Sequence, residues 1–383
     1  MPASDQIRLL IVEDVPQVAT YIRGLLNAQS RVKLLDVLTD GSKVVPAINE
    51  LRPDVVLVDG LLQGRIKGPQ LIEMIHQAEI GVPVIVLTVP QNPIEVDASA
   101  GVHGVLAMPF SGFDLMTRIA TARKEFEELQ AFATTRVMSV FAPKGGVGKT
   151  TIAFNLAVAL GQLEQKTVLI DGSVQFGDLR SLLKVPVDAP SILDLPTDRI
   201  AESDLSDVLW RDPSGIDILL APPRIEMAEM LTPRDIDKVL SLLRRVYASI
   251  VIDMSSYLND INLAFLDASD VIVEIVTYDS TTIHNTVAIA DTFRSIGYPA
   301  SKVRYLVNRA DSPGGIDPID LERAIGRVPE HRVVSDGLLV VQSNNEGVPF
   351  VLANPDAAIS RDVMRVAGEV LNAGRVATAA GRS

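Results

Sequence analysis

The stretch APKGGVGKTT, residues 142–151, decides how the chain is read. It follows the apolar run VMSVFA (137–142) and precedes the amphipathic stretch TIAFNLAVALGQL (151–163), so its glycines lie between a predicted strand and a predicted helix. Glycines let a backbone wrap closely around a phosphate, because a Cβ would block both the approach and the dihedrals needed. The loop amides and the start of the following helix favour an anion. Gly145, Gly146, Val147, Gly148 and Thr151 then form the cradle, Lys149 neutralises the outer phosphates of a nucleotide, and the Thr150 hydroxyl ligates Mg²⁺. The competing reading is a glycine-rich turn with solvated lysines, which the flanking strand and helix disfavour. Lys144 is a second lysine on one short loop. Two ammoniums crowded into an empty site repel, and a bound triphosphate relieves that repulsion.

Outward from this loop, short apolar runs recur at TVLID (167–171), IDILLA (216–221), SIVID (249–253), VIVEIV (271–276) and VRYLVN (303–308). Thr232, Pro233 and Asp235 read as a helix start, a capping residue followed by proline. The front of the chain shows the same alternation. IRLLIV (7–12), PDVVLVD (53–59) and PVIVLT (83–88) are separated by helix-like QVATYIRGLLNA (17–28) and GPQLIEMIHQA (68–78). Strands apolar throughout, alternating with amphipathic helices, predict parallel sheets covered on both faces. The fold class is therefore α/β, with two doubly wound parallel-sheet domains. The expected division is a first domain over 1–123, a linker over 124–136 and a second domain over 137–383. The small, weakly basic tail AGRVATAAGRS (373–383) reads as disordered.

Composition narrows the classes. With 383 residues, 47% of them apolar and 22% charged, the chain has material for two or three cores. Cysteine is absent, which removes disulfides and thiolate metal sites and fits a reducing, cytoplasmic setting. His76, His103, His284 and His331 show no paired ligand spacing and read as surface or loop residues. A net charge of −13 argues against sequence-independent nucleic-acid binding. No apolar run approaches the ~20 residues of a membrane span. ISRDVMRVAGEVLNAGR (359–375) has apolar residues at helical spacing but no aromatics and mixed charge, so core packing is expected over a membrane anchor.

KGGVGKT (144–150) resembles the deviant Walker A loop of the MinD/ParA-type ATPases, a branch of the P-loop NTPase fold. The resemblance implies ATP and Mg²⁺ as cofactors. It also implies a homodimer with ATP across the interface, in which Lys144 reaches the partner's phosphates and acts with Lys149 and Asp171 in catalysis. The alternative is that Lys144 contacts its own nucleotide. Asp253, at the end of an apolar strand, resembles the Walker B aspartate that holds Mg²⁺ through water. VNRAD resembles the family's adenine-contacting pair, giving Asn308 and Arg309, and residues 335–349, with Ser335 and Asp336, resemble its base-binding loop. One departure matters. Relatives carry Asp-x-Asp where this chain has Asp171 and then Ser173, and a serine has no charge with which to draw a proton from water. Hydrolysis is expected to be slow, unless Asp178 substitutes.

Glu13, Asp14, Asp59 and Thr88 stand at strand ends in the order seen in response-regulator receiver domains, which have a flavodoxin-like fold. That resemblance makes Asp59 the phosphoryl acceptor, Glu13 and Asp14 Mg²⁺ ligands, and Thr88 a phosphate contact. Receivers carry lysine before the proline in GVLAMPF (104–110), whereas this chain has Met108, and the aromatic switch position near Val105 is aliphatic. A degenerate receiver kept for docking or dimerising is expected over a working phospho-switch. The two-domain combination, with QFGDL after Asp171, resembles the TadZ/CpaE-like proteins of tight-adherence (Flp-type) pilus assembly. This implies other pilus assembly proteins as partners, a position at the cell pole, and membrane association only through partners. The alternatives are a partitioning or division-site ATPase and a phospho-regulated two-component regulator.

Overall fold

The computed structural model describes residues 6–27, 31–78, 80–92, 95–195, 205–313 and 315–380. The chain divides into two compact units, Met1–Gln130 and Ala131–Ser383. In the first, β1 (Ile7–Val12), β2 (Val32–Leu38), β3 (Val55–Asp59), β4 (Val84–Thr88) and β5 (Gly104–Ala107) form one sheet in the order β2-β1-β3-β4-β5. Every pairing is parallel. Every residue of β3 and β4 is buried, as strands covered on both faces require. The strand order reverses at β1 and β3, so the carboxyl ends of these two strands flank the crevice where such sheets place their sites. Between β4 and β5 the described residues form a short 3-10 turn, Ala98–Ala100, flanked by an antiparallel bridge of Asp97 with Val102.

The segment expected as a linker is mostly helical. One helix spans Gly112–Thr134, and the first strand of the second unit begins at Arg136. Lysine, glutamate, leucine, glutamine and alanine through this stretch are strong helix formers, and Arg123 pairs with Glu127 one turn on at 2.7 Å.

The second unit holds eight strands: β6 (Arg136–Phe141), β7 (Thr167–Gly172), β8 (Trp210–Arg211), β9 (Asp217–Leu219), β10 (Ser249–Met254), β11 (Val271–Val276), β12 (Val303–Asn308) and β13 (His331–Val333). Their order is β13-β12-β11-β6-β10-β7-β9-β8. All pairings are parallel except β8 on β9, where a two-residue edge strand runs antiparallel. Alternation along β6 shows the two-sided core: Val137 and Phe141 join one apolar cluster, Met138 and Val140 the other. The helix Pro233–Val246 starts as its sequence predicts, with Thr232 and Asp235 forming a reciprocal capping box.

The C-terminal helix, Ala358–Ala380, buries Ile359, Val363, Val366, Ala367 and Val370 in the core. Its apolar face is thus occupied by this domain. Residues 373–380, expected to be disordered, are helical, in keeping with their alanine content; 381–383 lie outside the described residues. One histidine departs from expectation. His331 is buried in β13 with Nδ1 2.8 Å from a Glu369 carboxylate oxygen, whereas His103 is a half-buried loop residue, its Nδ1 accepting the Val84 N–H at 3.1 Å. In each case the partner is distant in sequence. Among the described residues no helix is long and apolar enough to cross a membrane.

Glu274, in the middle of β11, is fully buried and neither carboxyl oxygen has a hydrogen-bond partner. Burial pushes its pKa up to about 8, with the Thr286 hydroxyl and the Arg327 charge pulling the other way. The folded state therefore holds a proton that the unfolded chain releases above its ordinary value of 4.5. The stability gained from that proton is complete below 4.5 and is lost as pH rises through about 8. Glu274→Gln keeps the shape without the charge. Thermal melts across this range are expected to show a flatter pH profile, with a melting temperature at pH ~8.5 at least about 4 °C above wild type.

Candidate functional site

β6 delivers the chain into a loop that turns directly into the helix Lys149–Gln162. Two glycines there are obligatory. Gly146 and Gly148 have φ of +75° and +95°, and a Cβ on Gly148 would stand 2.6 Å from Asn308 Nδ2. That amide donates to the Val147 carbonyl at 2.8 Å, while its Oδ1 accepts the Arg309 N–H at 2.9 Å. The Arg309 guanidinium reaches the Gly146 carbonyl at 3.4 Å. The pair expected to read a base thus braces the glycine loop in this structure.

Lys149 is half-buried and donates to Ser256 Oγ at 2.6 Å and to the Lys144 carbonyl at 3.3 Å. Burial lowers its pKa, while Asp253 and Asp178 pull it back up. Register places Asp253 on β10 directly beside Asp171 on β7, and each is 1% exposed. Among the described residues neither Asp253 oxygen has a hydrogen-bond partner, and Asp171 Oδ2 accepts the Leu179 N–H at 3.3 Å while its Oδ1 has none. Burial drives both upward, Asp253 to about 7 with Thr150 and Lys149 opposing, and Asp171 well above its ordinary value with the Asp253 charge adding to burial. Unpartnered buried carboxyls beside a lysine and a threonine hydroxyl suit a hydrated divalent cation.

These elements enclose a cavity of about 940 Å³, within the range of small-molecule sites. Gly145, Gly146, Gly148, Lys149, Thr150 and Thr151 line it, together with Asn308, Arg309, Ser335 and Asp336. Ser335 N donates to Asp311 Oδ1 at 2.6 Å, and Asp336 caps the helix Gly337–Glu346 through Leu339 N at 3.1 Å. Val147, Asp171 and Asp253 lie behind the lining. The sequence reading missed Ser256, Tyr257 and Phe176, all of which face the cavity. Ser256 could have been found, three residues beyond Asp253. Asn344, 3.3 Å from Thr151 Oγ1, lies within the stretch 335–349 read as the base-binding loop and following helix, although it was not singled out there.

Lys144 is not among the lining residues. Its ammonium donates to Asp279 Oδ1 and Thr281 Oγ1, both at 2.7 Å. Burial would raise the Asp279 pKa, but hydrogen bonds from Lys144, Thr277, Thr281 and Thr282 outweigh it and hold the carboxyl well below the usual range.

In the first unit, Glu13, Asp14 and Asp59 offer oxygens that lie within 4.8 Å of one another. Each accepts one backbone N–H: Val15 to Glu13 at 2.9 Å, Gln63 to Asp14 at 2.8 Å, and Leu61 to Asp59 at 2.9 Å. Asp14 Oδ1 is buried without a partner. Burial pushes Glu13 up to about 7 against the Val15 hydrogen bond, with Asp59 and Asp14 adding repulsion, and burial likewise raises Asp59. The donor set fits a hard divalent cation. It does not extend to a phosphoryl counter-charge. Met108 packs against the cluster of Leu9, Ile11 and Phe110, Val105 against the cluster on the other sheet face, and the Thr88 hydroxyl donates to the Asn92 carbonyl.

The first unit has a receiver-type fold and the second a MinD/ParA-type P-loop NTPase fold. Comparison with known proteins agrees: residues 9–120 match the response regulator receiver domain and residues 135–297 an AAA domain. An uncharacterised ATP-binding protein of Methanocaldococcus jannaschii is 22% identical over 236 residues, 62% of this chain and 88% of that protein. A ParA family ATPase from Chlorobium tepidum superimposes with a TM-score of 0.58 at 22% identity, covering 61% of this chain and 98% of that one. The septum site-determining protein MinD of Pyrococcus horikoshii, solved with Mg-ADP, gives 0.54 at 22% identity over 62% and 96%.

Proposed function

We propose that this protein binds ATP with Mg²⁺ in the cavity beside Lys149, pairs with a second copy when loaded, and helps place or assemble the tight-adherence (Flp-type) pilus secretion machinery at the cell pole. The observation that carries the nucleotide reading is the pair of buried carboxyls, Asp253 with neither oxygen partnered among the described residues and Asp171 with one oxygen free, behind a glycine loop in which a Cβ at 148 cannot fit. Thr150 and Asp253 hold Mg²⁺, which neutralises phosphate charge, and the Lys149 ammonium faces the outer phosphates. Asn308, Arg309, Ser335 and Asp336 shape the other part of the cavity, toward the base. Support for the pilus role is the domain combination together with QFGDL after Asp171.

Hydrolysis is slow, because Ser173 lines the cavity where a charged group would orient water. Calorimetry should show ATP binding that requires Mg²⁺. Single-turnover phosphate release should be slow in wild type and about 10²-fold faster in Ser173→Asp. Wild-type ATP binding absent under all conditions would remove the reading. A fluorescent fusion spread evenly through the cell, with pili intact after deletion, would remove the pilus role alone.

The receiver-like domain serves for docking or dimerising. Its acid cluster takes a divalent cation, but Met108 offers a phosphoryl group neither charge nor N–H. Intact-mass measurement after acetyl phosphate treatment is expected to show no adduct on wild type and a measurable one on Met108→Lys. An adduct on wild type that disappears in Asp59→Asn would restore the phospho-switch. Partitioning on DNA is disfavoured by the charge of −13, and a membrane anchor in the last helix by its buried face.

A further inference from the structure

We propose that Asp178 is the carboxylate that supports the slow hydrolysis left to this site, holding the attacking water less directly than an aspartate at 173 would; the inference rests on the ATP reading above. The backbone after β7 brings it there. Phe176 N and Gly177 N both donate to the Ser173 carbonyl, at 3.1 and 2.8 Å, closing a tight turn. Gly177 takes a left-handed φ of +58°, and a Cβ there would sit 3.3 Å from Ala221 Cβ. Leu179 N is tied to Asp171 Oδ2 at 3.3 Å, which fixes the next step of the chain. The result is that Ser173 and Asp178, five residues apart in sequence, line the same cavity as Lys149 and Thr150.

The three acids here differ in accessibility. Asp171 and Asp253 are each 1% exposed and do not line the cavity, so they are placed for the hydrated cation rather than for the attacking water. Asp178 is exposed, and among the described residues no hydrogen bond or ion pair occupies its carboxylate. Its charge is nonetheless felt at Lys149, Asp171 and Asp253, and it shares the cavity lining with Lys149 and Thr150. Arg180, two residues on, is taken up by backbone carbonyls, including those of Pro186 and Ala189. In the assigned step the water oxygen bonds to the γ-phosphorus while the bond from that phosphorus to the β–γ bridging oxygen breaks. The electron pair leaves with ADP. Asp178 accepts the water's hydrogen bond, and the proton passes through it to the departing phosphate.

The test uses the full chain. ATP affinity by calorimetry and single-turnover phosphate release are measured for wild type, Asp178→Asn, Asp178→Ala and the double variant Ser173→Asp with Asp178→Asn. Both single variants are expected to slow phosphate release by about 10² or more while binding ATP as well as wild type or better, since a negative charge near the phosphates has been removed. A merely structural role would weaken binding as well. The double variant is expected to recover hydrolysis, because a carboxylate has been returned one turn away. Phosphate release at the wild-type rate in Asp178→Asn, with ATP bound, overturns the assignment. So does a wild type that binds ATP but never hydrolyses it. If wild type does not bind ATP at all, the nucleotide reading itself fails and takes this inference with it.

Discussion

Lys149→Ala is expected to weaken ATP binding by about 10²–10³-fold, measured by calorimetry in the presence of Mg²⁺. The ammonium is half-buried and already stripped of much of its water, as its lowered pKa records, so its desolvation is met before a ligand arrives. Its present partners are weak substitutes for phosphate: one serine hydroxyl and one carbonyl. Exchange of these for phosphate oxygens gives charge-assisted hydrogen bonds, and truncating one side of such a desolvated pair costs about 2–5 kcal/mol. Removing the cation also leaves Asp253 without the Lys149 charge that opposes its burial, so a thermal melt should accompany the binding measurement. Retained affinity in a folded Lys149→Ala protein would place the nucleotide elsewhere.

The second large effect concerns assembly. Size-exclusion with light scattering is expected to find wild type monomeric with no nucleotide or ADP and dimeric with ATP. Lys144→Ala should remain monomeric throughout, with its ATP affinity changed only a few-fold. In the structure the Lys144 ammonium is held by Asp279 and Thr281 of its own chain, away from the cavity lining. For that ammonium to serve a partner's phosphates it must exchange Asp279 for phosphate, so only a triphosphate of sufficient charge moves it. Asp279→Asn keeps the side-chain oxygen that caps the helix Ser280–Ser295 but removes the charge holding the lysine. That variant should dimerise at lower ATP concentration. If Lys144→Ala dimerises like wild type, the lysine has no role between subunits. If it stays monomeric because ATP no longer binds, the lysine serves its own nucleotide.

Much of this site could be read from the chain because its parts are local. KGGVGKT carries its meaning within seven residues, since the glycine dihedrals, the following helix and the lysine are all set by neighbours in sequence. The strand-end acids Asp59, Asp171 and Asp253 were equally legible, because an apolar run buried on both faces must end in something polar at the crevice. Short edge strands were not. β8 and β13, of two and three residues, have too little sequence to show a period, and pairing with a neighbour makes them strands. The helical continuation through residues 124–134 was legible only in part, since the charged start of RKEFEELQAFATTR (123–136) is helix-prone whereas its small, polar end reads equally well as a connector.

Residue identity and short-range periodicity were enough for two parallel α/β folds, the phosphate-cradling loop, and the lack of a lysine at Met108 and of an aspartate at Ser173. Where the charges point became visible once remote segments of the chain met in space. Folding ties Lys144 to Asp279, 135 residues away, and turns Asn308 onto the glycine loop. It seats His331 against Glu369 and opens Asp178 to the cavity while Asp171 is buried. Side-chain direction depends on which distant backbone comes within about 3 Å, and no local pattern encodes that.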